Sequence, residues 1–232
     1  MTALNLTSTS SRLQQLSHDI TGIKLEPIVA LASSRRVGVE VLSVLSPRQQ
    51  SERFFRNRSA EQSLMLLEIQ LAALQSAFER HNLFVNLPIT VFSEGDNFQR
   101  MLALNAPPLN VEIVDPDAFF DLPAPRQRDV IRRLRWLRRR GHQVWLDDLD
   151  EATVQPFLSQ RLPLSGIKID KLAFWRLRGT PALTKLVTLC THIAGHVLIE
   201  GIETEKDYAC ALRAGAGLGQ GFYWPSWTWP ED

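Results

Sequence analysis

Apolar residues in this chain follow two spacings. Short runs over 37–45, 83–87, 110–114, 143–147, 166–170, 196–200 and 219–222 are rich in Val, Ile and Leu and predict strands. Between them, apolar residues recur at helical intervals. Leu64, Leu67, Ile69, Leu71, Leu74 and Phe78 predict a helix over 59–80 with Ser59 as its N-cap. Val130, Ile131, Leu134 and Leu137 share one face of a second helix over 126–140, with Gly141 as its stop. Further helices are predicted over 181–192 and 203–214. Residues 1–22 are polar and Ser/Thr-rich and read as a leader, with a short helix around 13–16, while 23–232 read as one compact domain. Strands alternating with amphipathic helices imply βα units and an α/β fold, its parallel sheet open or closed into a barrel.

The polar exceptions within the strands carry the chemistry. Glu40 interrupts the first run, Asn86 and Glu112 lie in the next two, and Asp147 and Asp148 end the fourth. Lys168 lies in the fifth, Glu200 ends the sixth with Glu203 just beyond, and Gln220 lies in the last. A charged group in a strand buried on both faces costs several kcal/mol unless it is paired, liganded or near water. Polar residues repeated late in successive strands therefore suggest a shared mouth, the C-terminal face of a parallel barrel. Carboxylates converging there would repel one another and hold their protons unless a cation neutralised them. Oxygen donors with an Asn carbonyl suit Mg²⁺ or Mn²⁺, and a pair of such ions serves in-line phosphoester hydrolysis. Taken alone, the spacing also fits a barrel with scattered salt bridges.

Composition narrows the classes. The 232 residues carry 26 Lys plus Arg against 25 Asp plus Glu, so no global charge draws the chain to nucleic acid or membrane. With 44% hydrophobic and 22% charged residues, it is not a disordered tail. No apolar run approaches the ~18 residues that cross a bilayer, and the N-terminus lacks a secretion signal, so a cytoplasmic protein without a membrane partner is expected. Cys190 and Cys210 are too few for a disulfide framework. Cys190, His192 and His196 mimic a zinc-ligand spacing but overlap a helix end and lack a second Cys nearby. The Trp-rich run over 222–230 is expected to close the core around the last strand.

The motifs, in order, resemble the EAL domain family of cyclic di-GMP phosphodiesterases. Glu26-Pro-Ile-Val resembles its opening strand, and Gly38-Val-Glu-Val-Leu42 its Glu-Ala-Leu motif with Val for Ala. Val85-Asn-Leu87, Val111-Glu-Ile-Val-Asp115, Leu146-Asp-Asp148, Ile167-Lys-Ile-Asp170, Glu200-Gly-Ile-Glu-Thr204 and Gln220-Gly-Phe222 resemble the family's later motifs at matching spacing. The resemblance implies a TIM-like (β/α) barrel with two Mg²⁺ or Mn²⁺ ions. Glu40, Asn86, Glu112 and Asp147 would hold the first ion, and Asp147, Asp148 and Glu200 the second. Lys168 would contact the attacking water, making Lys168, Glu200 and Glu203 the catalytic set. Glu203 and Gln220 would orient the shell, and cyclic di-GMP would meet Glu26, Leu42, Gln220 and Phe222 on its way to linear pGpG.

Three departures from the family pattern stand out. The loop after Asp148 lacks the family's two glycines, so it must take another shape and leaves a homodimer through this loop in question. Asp115 replaces the Glu that steadies this loop, and Val44 replaces an Arg that binds a substrate phosphate. The alternative to an active enzyme is therefore a degenerate module that binds cyclic di-GMP or a protein without turnover. The 126–140 helix holds Arg126, Arg128, Arg132, Arg133, Arg135, Arg138, Arg139 and Arg140, which reads as a solvated face or a patch for an acidic protein partner rather than for DNA.

Overall fold

A computed structural model describes residues 20–45, 58–74, 82–104 and 106–229. The predicted helix around 13–16 and the end of the 59–80 helix lie outside these residues. The first two strands, β1 (Ile20–Ala30) and β2 (Arg35–Leu45), form an antiparallel hairpin in which Glu26 faces Glu40 across the ladder. β3 (Leu83–Leu87), β4 (Asn110–Ile113), β5 (Gln143–Leu149), β6 (Gly166–Ile169), β7 (His196–Ile199) and β8 (Leu218–Gly219) then follow in parallel from β2. β8 pairs antiparallel with β1, closing an eight-stranded mixed barrel. The expected parallel barrel is thus confirmed with one change: β1 runs against both neighbours. Its signal is hidden because Lys24, Glu26 and Pro27 break its apolar pattern.

The β8–β1 seam is only two residue pairs long, Val29 with Gly219 and Ala30 with Leu218. Further along β1, Ile23–Leu25 pair instead with β9 (Trp227–Trp229), so the Trp-rich tail extends the sheet at this edge. Pro27 falls between the two pairings, where a residue without an N–H removes no bond from that edge. The chain between β8 and β9 bows out of the sheet at this gap and carries Gln220 and Phe222 to the barrel mouth.

Helices cover the outside. α1 (Ala60–Ala73) begins with the predicted cap: Ser59 Oγ accepts from Gln62 N and the Gln62 side chain accepts from Ser59 N, a reciprocal capping box. Short helices α2 (Thr90–Ser93), α3 (Gly95–Ala103) and α4 (Ala118–Asp121) precede α5 (Ala124–Arg139), which buries Val130, Leu134 and Leu137 and stops at Gly141. α5 starts two residues earlier than predicted because Pro125 is tolerated in a first turn. α6 (Lys171–Leu177) was not visible as a helix in the apolar pattern. Asp170 caps it, accepting from Leu172 N and Ala173 N. A 3₁₀ helix spans Gln155–Ser159, α7 (Pro181–Ile193) and α8 (Glu205–Ala214) follow, and none of the described helices is long and apolar enough to cross a membrane.

The main core lies between barrel and helices, and a second, smaller cluster fills the barrel's interior. Ile28, Phe84, Trp145 and Leu198 pack there, each at most 2% exposed. The indole of Trp145 lies over Gly166, where a Cβ would come within 2.0 Å of the ring. Its N–H donates to Asn110 Oδ1 at 3.1 Å, so this floor is both filled and satisfied.

Candidate active site

One step above that floor the lumen turns polar. Glu40 is the cross-strand neighbour of Phe84, and Glu112 that of Trp145. Glu40, Glu112, Asp147 and Lys168 are all buried, and Lys168 is 1% exposed. The Lys168 ammonium sits 2.7 Å from Glu200 Oε1, 3.2 Å from Glu112 Oε1, 3.2 Å from Asp147 Oδ1 and 3.3 Å from Glu40 Oε2. Asn86 Nδ2 donates to Glu40 Oε1 at 2.7 Å, and Gln220 Nε2 donates to Glu40 Oε2 at 2.6 Å. Six strands and the loop after β8 thus bring the predicted residues to one point.

Asp147 and Asp148 reach it together because β5 is irregular. Pairing with β6 jumps from Leu146–Ile167 to Leu149–Ile169, so β5 carries an extra residue there. Asp148 takes a left-handed conformation at φ 55°, which Asp tolerates better than most residues. In a regular strand, adjacent side chains point to opposite faces. The bulge instead leaves one oxygen each of Asp147, Asp148 and Glu200 within 4.8 Å of one another.

The electrostatics are strained. Burial drives the Glu112 carboxyl well above its ordinary range, and Glu40 adds to this. Burial and Asp147 push Glu200 to about 8 against the pull of Lys168. Asp148 opens to the cleft, yet the enclosing walls and Asp147 raise it to about 6. Burial raises Asp147 as well. Glu40 is lowered despite its burial, because Lys168, Asn86 and Gln220 all favour its anion. Lys168 is raised well above its usual value because its four carboxylate neighbours outweigh burial. One ammonium therefore does not balance five carboxylates.

These residues fit divalent cations. Both oxygens of Glu112 and Asn86 Oδ1 are buried without a hydrogen bond, although Lys168 pairs ionically with one of the Glu112 oxygens. Orphaned hard oxygen donors beside three converging carboxylates are the donor set that Mg²⁺ and Mn²⁺ take. The Cys190 site offers nothing comparable: the thiol is buried and pushed up to about 12.

A cleft of about 320 Å³ opens over this layer, lined by Glu26, Leu42, Glu203 and Phe222 among others. Phe222 is 72% exposed at its rim. Glu203 lines the cleft wall without touching the buried cluster through any hydrogen bond or ion pair among the described residues. Gly221 lets the wall turn: at φ 147° its absent Cβ would lie 2.3 Å from Ile202 O. Trp175 and Lys171 also line the cleft, and sequence reading missed both. Lys24, also missed, stands behind the lining: it donates to Glu26 Oε1 at 2.6 Å and lies 5.4 Å from the centre of the Phe222 ring. Their signal was the Asp170 cap and the Lys24–Glu26 alternation in β1.

The departures take definite forms. The loop without glycines closes as a turn around Asp150, whose Oδ1 accepts from Ala152 N and Thr153 N at 2.9 and 2.8 Å. Asp115 accepts from Ile89 N at 2.6 Å, so it steadies the chain after β3 and not the 149–155 loop. Val44 pairs with Gly22 in the hairpin and supplies no cation. A larger depression of about 540 Å³ lies on the outer face of α5, lined by Arg128, Arg132, Arg135 and Arg139, away from the acidic layer. The other four arginines predicted on that helix engage neighbouring groups. Arg126 and Arg133 donate to Ser93 O and Phe92 O, Arg138 to Ser165 Oγ, and Arg140 lies over the Trp136 ring.

Comparison with known proteins supports this fold. An EAL domain protein from Listeria monocytogenes EGD-e superposes with a TM-score of 0.72 at 15% identity, over 94% of this chain and 93% of that one. The PaMucR phosphodiesterase in complex with c-di-GMP gives 0.65 at 20% identity, covering 94% of each chain. Klebsiella pneumoniae BlrP1 with manganese and cy-diGMP gives 0.69 at 20% identity, over 90% of this chain and 58% of that one. The chain spans 66% of the EAL enzyme Bd1971, which it matches at 19% identity and a TM-score of 0.68 over 96% of its own length. No curated protein sequence matches. The family model for the EAL domain matches residues 11–225, nearly the whole chain, and with the closed barrel and its acidic layer this places the protein in the EAL domain family.

Proposed function

We propose that this protein hydrolyses one phosphodiester of cyclic di-GMP to linear pGpG with two Mg²⁺ or Mn²⁺ ions. The observation that carries the reading is the excess of buried carboxylates around Lys168 with unbonded donor oxygens at Glu112 and Asn86. The similar structures with cyclic di-GMP and with calcium or manganese support the substrate and the metal class.

Glu40, Asn86, Glu112 and Asp147 would hold one ion, and Asp147, Asp148 and Glu200 the other. Bound there, the ions would neutralise the phosphate and acidify a water for attack. With the ions drawing the four carboxylates to themselves, Lys168 would be the cation that contacts the attacking water and offsets the charge that grows on the phosphate oxygens. Water adds to phosphorus, the bond to the 3′ oxygen breaks, and that oxygen takes a proton. Glu200 and Glu203, at the layer and on the cleft wall, are the carboxyls placed to move protons. Gln220 holds Glu40 in register, and Glu26, Leu42, Gln220 and Phe222 line the substrate's approach.

The reshaped 149–155 loop and the missing cation at Val44 support a second reading, a module that binds cyclic di-GMP or a partner without turnover. The outward stripe of Arg128, Arg132, Arg135 and Arg139 would suit an acidic protein in either case. Incubation with cyclic di-GMP and Mn²⁺, followed by chromatography, separates the readings. The enzyme yields pGpG and Asp147→Asn does not. Binding without pGpG in the wild type selects the second reading.

A further inference from the structure

A cyclic dinucleotide brings two phosphodiesters, and the acidic layer accounts for one. The second must lie in a cleft whose walls carry Glu26, Asp148, Glu200 and Glu203, a lining that repels it. Lys168 cannot serve, because it is 1% exposed and already faces four carboxylates. Lys171 lines the cleft, Lys24 stands beside the lining residues Glu26 and Phe222, and the structure distinguishes the two lysines. Lys171 is exposed and enters no ion pair among the described residues. The Lys24 side chain is 32% exposed and anchored 2.6 Å from Glu26. Glu26 Oε2 accepts from Gln220 Nε2 at 3.1 Å, and the same nitrogen reaches Glu40. Lys24 is therefore fixed relative to the acidic layer through two side chains. Its ammonium also lies 5.4 Å from the centre of the exposed Phe222 ring. Gln220 Oε1, buried in the same wall, has no hydrogen-bond partner and is an acceptor available to a ligand.

We propose that Lys24 binds the phosphodiester that is not cleaved, held in place by Glu26 and Gln220, with the Phe222 ring beside it as a stacking face for a base. This rests on the reading that the cleft takes a cyclic dinucleotide. A cation for the phosphate, an aromatic face for a base and an acceptor for a base N–H together form a handle for a nucleotide. The antiparallel β1 makes it possible: Lys24 and Glu26 project to one side of the strand, two residues apart.

The test uses the full chain. Dissociation constants for cyclic di-GMP with Ca²⁺, and KM and kcat with Mn²⁺, are measured for wild type, Lys24→Met, Lys24→Arg and Lys171→Met. A second substrate, bis(p-nitrophenyl) phosphate, carries a single phosphodiester. Lys24→Met is expected to weaken cyclic di-GMP binding about tenfold or more, the loss of one charge-assisted contact. It should raise KM more than it lowers kcat, and its loss should be several times greater on cyclic di-GMP than on the simple diester. Lys24→Arg should recover most of the affinity, and binding should weaken with salt. Affinity in Lys24→Met within twofold of wild type, equal losses on both esters, or a larger loss in Lys171→Met overturns the assignment. A wild type that binds no cyclic di-GMP and hydrolyses neither ester overturns the proposed function and this assignment with it. A wild type that binds without turnover leaves the affinity arm to decide on Lys24 alone.

Discussion

Two adjacent layers of the same barrel lumen solve burial in opposite ways. In the floor, Ile28, Phe84, Trp145 and Leu198 fill space, and the one polar group among their side chains is bonded. In the layer above, Glu40, Glu112, Asp147 and Lys168 are nearly as buried but remain short of positive charge, and Glu112 of hydrogen bonds as well. The floor is built for stability and the upper layer at the expense of stability, which is the signature of a site that awaits a ligand.

Mutations should separate the layers, and the largest effect belongs to the upper one. Asp147→Asn should lower pGpG formation about a thousandfold, roughly 4 kcal/mol of transition-state stabilisation. Its melting temperature in chelator should not fall below that of wild type, because a crowded carboxylate has been removed. A fall of several degrees would erase the contrast. Trp145→Ala should do the reverse, costing about 3–5 kcal/mol in urea denaturation, with or without metal, through the cavity it leaves. Stability close to wild type would show that the floor collapses to fill the gap. Next in size is the metal effect. Mn²⁺ at about 100 times its dissociation constant should add ~2.7 kcal/mol per bound ion to wild-type stability and much less to Asp147→Asn. The smallest effect lies outside the barrel lumen. Ser59→Ala removes the α1 cap and should cost about 1 kcal/mol without changing kcat. A change in kcat there would mean that α1 is coupled to the site.

The upper layer was legible in the sequence because every member interrupts an apolar strand, and a charge in that setting has few explanations. Ser59 and Gly141 were legible for a similar reason, since caps and stops act locally. The β1 hairpin was obscured because three of its residues, Lys24, Glu26 and Pro27, serve the rim and the seam instead of the core. The bulge that turns Asp147 and Asp148 to one side depends on how β5 meets β6, a tertiary relation that neither strand encodes alone. The short helices α2, α4 and α6 escaped because four to seven residues carry too little periodicity, and Asp170 was the local marker for α6. The pairing of Glu26 with both Lys24 and Gln220 joins residues from opposite ends of the chain.

The claim on which the account turns is that the acidic layer exists to hold divalent cations. Calorimetric titration of Mn²⁺ into the metal-stripped protein tests it directly. The account predicts saturable uptake of two ions per chain, weakened at least tenfold in Asp147→Asn, since Asp147 is proposed to hold both. No saturable uptake, or identical uptake in the variant, would contradict it.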